Sequence, residues 1–160
     1  MKFIKSSILI LILIIAGALA ASTGFASTNM TLEEHDFDSF FKMKVPKGIS
    51  FEKHERLPSK NINMTVNYKN STQKINIVYT VSTGAKDNLL KYYDEFAKND
   101  ENITLNTTNN TTLIHFKNDN FIGEENLHDM AIIGDDSKYI LMQCDNETLM
   151  KSMAESITFK

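Results

Sequence analysis

Histidine, cysteine and paired carboxylates carry most proton-transfer, nucleophilic and metal chemistry. In this chain they are few and scattered. Histidines stand at positions 35, 54, 115 and 128, and Cys144 is the single cysteine. No two histidines share metal-ligand spacing on one element. There is no Gly-x-Ser-x-Gly elbow, no phosphate-cradling glycine loop and no His-Glu-x-x-His. His128-Asp129 could orient a base, but a strand sends neighbours to opposite faces. His115 alternates with Ile114 and Phe116 and so lies opposite them. Cys144 closes the apolar run Tyr139–Cys144 and reads as a small buried hydrophobe, with no histidine beside it to activate a thiolate. Glu33, Glu34, Asp36 and Asp38 surround His35 without a turn that would converge them on a cation. Asp135-Asp136 fits a turn, where Asp binds its own backbone. These residues assign no catalytic, cofactor-binding or metal site and call for no cofactor.

A different chemistry is over-represented. Asn-x-Ser/Thr occurs at Asn29, Asn63, Asn70, Asn102, Asn106, Asn109, Asn110 and Asn146. With 16 Asn and 26 Ser or Thr in 160 residues, chance supplies roughly two or three such acceptor motifs. The excess predicts N-glycosylation in a host that has the transferase. Asn63 falls on the polar side of an alternating segment, and Asn109-Asn110 reads as a hairpin tip. Crowding limits the Asn109-Asn110 pair to one modification.

Glycosylation requires export, and the first residues supply an address. Lys2 and Lys5 precede the uncharged run Ile8–Ala21, and Ala18-Leu19-Ala20 or Gly24-Phe25-Ala26 offers a small-residue cleavage site. This is a secretory signal over 1–26, too short for the ~20 apolar residues of a membrane span. Residues 27–38 are expected as a flexible lead-in and 39–160 as one domain. The localisation is outside the cytoplasmic membrane, secreted or in the envelope, with membrane contact only through an uncleaved leader. The net charge of −3 falls to −5 without Lys2 and Lys5, with no basic stretch for nucleic acid. One cysteine gives no internal disulfide framework, and nothing calls for more than a monomer.

Periodicity supplies the elements. Phe41, Met43 and Val45 alternate with lysines until Pro46-Lys47-Gly48 turns the chain. Short strands follow at 49–56, 61–68 and 74–83, reading as an antiparallel meander. The period then becomes 3.6. Asp87 is the expected N-cap of a helix running to Lys98, with Leu89, Tyr93 and Phe96 on its apolar stripe. Strands resume at 102–107 and 111–117, a polar loop spans 118–126, and strands at 127–133 and 138–144 flank the Gly134–Ser137 turn. Asp145 or Asn146 caps a last helix with Met153 and Ile157 inward, before an extended or frayed tail.

Three stretches resemble the PsbP-like family in the same order. Phe41–Gly48 is similar to its opening strand and Pro-x-Gly, although Ile49 stands where an aromatic often follows. Asp87–Ala97 occupies the place of its first helix, and Tyr139–Cys144 with Leu149–Phe159 resembles its last strand and closing helix. The resemblance spans about residues 38–160, and the chain also looks like small exported archaeal paralogues. It implies an antiparallel sheet with helices packed on it, and no catalytic residue.

The expected fold is α+β: an antiparallel sheet of about seven strands, two main helices and an N-terminal signal helix. The expected core is Phe41, Met43, Met64, Val66, Ile75, Ile77, Tyr79, Leu89, Tyr93, Phe96, Leu141, Met153 and Ile157. The first functional expectation is a non-catalytic exported module serving an envelope or surface partner. The second is an apolar-ligand binder with a Met- and Phe-lined sheet–helix cleft. The third is a hydrolase assembled from distant residues.

Overall fold

The chain, as a computed structural model, is described over residues 30–59, 61–99, 103–116 and 129–160. The leader, Asn29, Asn102, the loop at 118–126 and His128 lie outside the described residues. In chain order the elements are β1 (Leu32–Phe37), β2 (Phe41–Pro46), β3 (Glu52–Arg56), β4 (Ile62–Asn70), β5 (Ile75–Ser82) and α1 (Ala85–Asn99). Then come β6 (Ile103–Thr108), β7 (Thr111–Phe116), β8 (Asp129–Gly134), β9 (Lys138–Cys144), α2 (Glu147–Glu155) and β10 (Thr158–Phe159).

Seven strands form one antiparallel sheet, ordered β3-β4-β5-β9-β8-β7-β6. A second sheet, β1-β2-β10, is also antiparallel. The α+β class, the seven-stranded sheet and both helices are as expected. Alternation explains why the large sheet has two distinct faces. Ile75, Ile77 and Tyr79 of β5 point with Ala131 and Ile133 of β8 toward the small sheet and α2. Met130 and Ile132 of β8 point the other way, with Ile114 and Phe116 of β7, toward α1. β8 is buried along its whole length because both its faces are covered.

Three readings of the sequence need correction. Leu32–Phe37, expected in a flexible lead-in, is a strand in register with β2, and the compact unit begins at Leu32 rather than 39. Its acidic residues hid the pattern. Glu34 pairs with Lys42 and Asp36 with Lys160, while Phe37 stacks on Phe41 with ring centroids 4.6 Å apart. The meander of β3, β4 and β5 is as expected, and the turn at Gly48, where φ is +77°, separates it from β2 of the small sheet.

Asp87 is not an N-cap. α1 begins at Ala85, and the Asp87 N–H donates to Asp136 Oδ1 at 3.1 Å, so the β8–β9 turn satisfies a helix-end donor. Lastly, the tail is β10, whose Phe159 pairs with Phe41, and the Lys160 N–H donates to Phe40 O. Of the expected core, Phe41, Met43, Val66, Ile75, Ile77, Tyr79 and Met153 are buried. Met64, Leu89, Tyr93, Phe96, Leu141 and Ile157 are partly buried at its margins.

Candidate functional site: a groove beside the last helix

The groove arises from where α2 sits. Asn146 N-caps this helix, its Oδ1 accepting from Leu149 N at 2.9 Å. Leu149, Met150, Met153 and Ala154 then bury against β8, β9 and β2. β7 and β6 lie next in the sheet beyond the strands that α2 covers. Between them and α2 lies a cavity of about 630 Å³. Leu113, Ile133, Ile157 and Phe159 supply its apolar surface, Asn106 and Thr108 one lip, and Lys151 and Glu155 the other.

A smaller cavity of about 170 Å³ adjoins it, sharing Asn106, Leu113 and Lys151. Here His115 Nδ1 lies 2.7 Å from Asp129 Oδ1. The two residues are directly opposite across β7 and β8, which fixes their side chains on one face. The Asp129 side chain is 8 % exposed and that of His115 45 %. With Nδ1–H donated to the carboxylate, Nε2 carries the lone pair and can accept a proton. Glu147 faces the same cavity and pairs with Lys151 one helical turn on. The hydrogen bond from Lys151 holds the Glu147 carboxyl below its usual range and raises the Lys151 ammonium.

The sequence suggested His128 as the neighbour of Asp129, whereas the residue brought to it is His115. The β7–β8 register makes that pair, and no local motif reveals it. Among the described residues no group of three or more His, Cys, Asp or Glu is placed to hold a metal ion. The acidic cluster near residue 35 is dispersed: Asp38 pairs with Lys53, and Glu33 accepts from the Gly48 N–H at 2.9 Å. Cys144 is fully buried, and that burial pushes its thiol up to about 11, so it is protonated at neutral pH. Asp135 Oδ1 accepts from Ser137 N at 2.8 Å and Lys138 N at 3.0 Å, the turn role expected of it.

The described sequons divide by the state of the carboxamide. Asn63, Asn106, Asn109, Asn110 and Asn146 are exposed, with Asn146 Oδ1 already engaged as the α2 cap. Asn109 has φ of +53° at the β6–β7 tip, the left-handed geometry expected there. Asn70 is half-buried and engaged at both ends, donating to Ser50 O and accepting from Gln73 N, each at 2.7 Å.

No described helix is long and apolar enough to cross a membrane. No family model, curated protein or solved structure matches the chain.

Proposed function

We propose that this chain is an exported, non-catalytic binding module of the cell envelope or surface, with a PsbP-like arrangement, whose ligand seats in the groove between α2 and the β6–β7 hairpin. The groove carries the reading. Its apolar surface and charged lip have the mixed character of recognition sites. The interior supports the same view: Met43, Met142 and Met153 are fully buried among Phe41, Ile77 and Ile140. These three methionines pack the core, and among the described methionines only Met150 faces the smaller of the two cavities described above, which disfavours a purely apolar ligand. The leader supports export.

The test is recovery of a discrete partner from the native envelope, with the whole exported chain as bait. The double variant Lys151→Glu, Glu155→Lys reverses two exposed lip charges without touching the core. The wild-type chain retains the partner and the variant loses it. Equal recovery by both, or none by either, removes the reading.

The His115–Asp129 pair favours a second reading, general-base hydrolysis, because a buried carboxylate orients an exposed imidazole. Turnover of p-nitrophenyl acetate that disappears in both His115→Ala and Asp129→Asn would carry it. Wild-type and variant rates that coincide dismiss it.

A further inference from the structure

The two edges of the large sheet are β3 and β6. An edge strand presents unpaired N–H and C=O groups, so natural sheets guard it with charge, proline, bulges or a cover. β3 is guarded by charge: Glu52, Lys53, His54, Glu55 and Arg56 are all ionisable and all exposed. β6 reads Ile-Thr-Leu-Asn-Thr-Thr, with no ionisable residue and no proline. Thr104, Asn106, Thr107 and Thr108 are exposed, and among the described residues β6 pairs with β7 alone. Such a strand is a template for a second chain. Yet four of the eight sequons, at 102, 106, 109 and 110, fall within nine residues on and around this strand.

We propose that an N-linked glycan on Asn106, joined by one on Asn109 or Asn110, covers the β6 edge and keeps the exported chain monomeric. The inference rests on the export reading above. Asn106 suits the reaction and the role. Its carboxamide is exposed in mid-strand, and no described residue hydrogen-bonds it. It stands on the outermost strand and, with Asn109 and Asn110, lines the outer lip of the groove, so sugar here covers the edge and also borders whatever the groove holds. The donor is a lipid-phosphate-linked oligosaccharide. Its C1–O bond to phosphate breaks, a bond from C1 to Asn106 Nδ2 forms, the amide loses one proton to a base, and the lipid phosphate leaves as the anion. Hydrated sugar then occupies the space that a pairing strand would need. Asn70 contrasts: its half-buried carboxamide is held at both ends, Nδ2 donating to Ser50 O and Oδ1 accepting from Gln73 N, each at 2.7 Å, so it is not presented to a transferase. Asn70 is therefore bare in the folded protein.

The test has two arms. The first maps glycopeptides of the protein purified from its natural source. Sugar on Asn106 and on one of Asn109 and Asn110, with Asn70 unmodified, is the expected result. Protein found outside the cytoplasm but bare at Asn106 overturns the proposal and leaves export standing. Protein found in the cytosol with its leader intact overturns both. The second arm compares sedimenting mass with and without the glycan. Asn106→Gln and Thr108→Ala destroy the same sequon by different routes, and both are expected to double the sedimenting mass. Adding Thr107→Lys to either variant puts a charge on the bare edge and is expected to restore the monomer. Glycan-free protein that stays monomeric overturns the shielding role.

Discussion

α1 and α2 are both amphipathic, yet they stand in different relations to the core. Four residues of α2 are buried, and none of α1 is. The difference lies in what surrounds each helix. α2 touches β2 of the small sheet as well as β8 and β9 of the large one, so it is covered from two sides. α1 lies as an outer layer, with Leu89, Leu90, Tyr93 and Phe96 only partly buried against the sheet and its charged side in water. An apolar stripe reports which side of a helix faces inward. Depth depends on the layers stacked beyond it, and those come from distant parts of the chain.

Substitutions can break or sharpen this contrast. Met153→Ala in α2 removes a fully buried side chain and is expected to cost about 4 kcal/mol in urea unfolding. Gly134→Ala probes the strand that both helices share. Its φ is +120°, and a Cβ there would lie 2.5 Å from Lys138 O, so a loss of about 3 kcal/mol is expected. Hydrogen exchange should show that loss over α1 and α2 alike. Leu89→Ala in α1 should cost about 1–2 kcal/mol, because the side chain is only partly removed from water. If it costs as much as Met153→Ala, the two helices do not differ as described. Asn146→Ala should cost about 1 kcal/mol and raise exchange at the Leu149 amide, with α1 unchanged.

The smallest effect is that of acid. Hydrogen bonds from the Ser137 hydroxyl and from the Lys138 and Ser137 amides bring the Asp135 carboxyl down from 3.8 to about 2. A carboxyl depressed in the folded state stabilises fully above its unfolded value, and that contribution is lost as pH falls through the folded one. The window is therefore between about pH 4 and 2. The same turn anchors the start of α1, through Asp136 on Asp87 N and through Gly134 O, which accepts from Lys86 Nζ. Amide exchange in the first turn of α1 should rise across that window before exchange in α2 does. Simultaneous loss in both would mean that the turn does not hold α1.

Much of the fold was legible because period and turn chemistry are local. β9, the β6–β7 hairpin with Asn109 at its tip and the Asn146 cap follow from adjacent residues. What escaped depends on pairing across distance. β1 has only Leu32 and Phe37 as apolar residues, and β10 is two residues long; each is a strand because β2 is there to receive it. The candidate site was less legible. The His115–Asp129 pair follows from the β7–β8 register across an intervening segment, and the groove from α2 stopping short of β7. Chain order carries neither.

The pairing of β10 with β2 also sets an order of events. Residues 158–160 contact residues 36–42, so the small sheet joins segments more than a hundred positions apart. While the polypeptide is being delivered from its amino end, β1 and β2 can form only a hairpin with one side unmet. Completion of the small sheet waits for residues 158–160, and until they join it Phe41 lacks the strand that pairs with it. A chain built this way closes its small sheet through contacts of high sequence separation, the slowest kind to form.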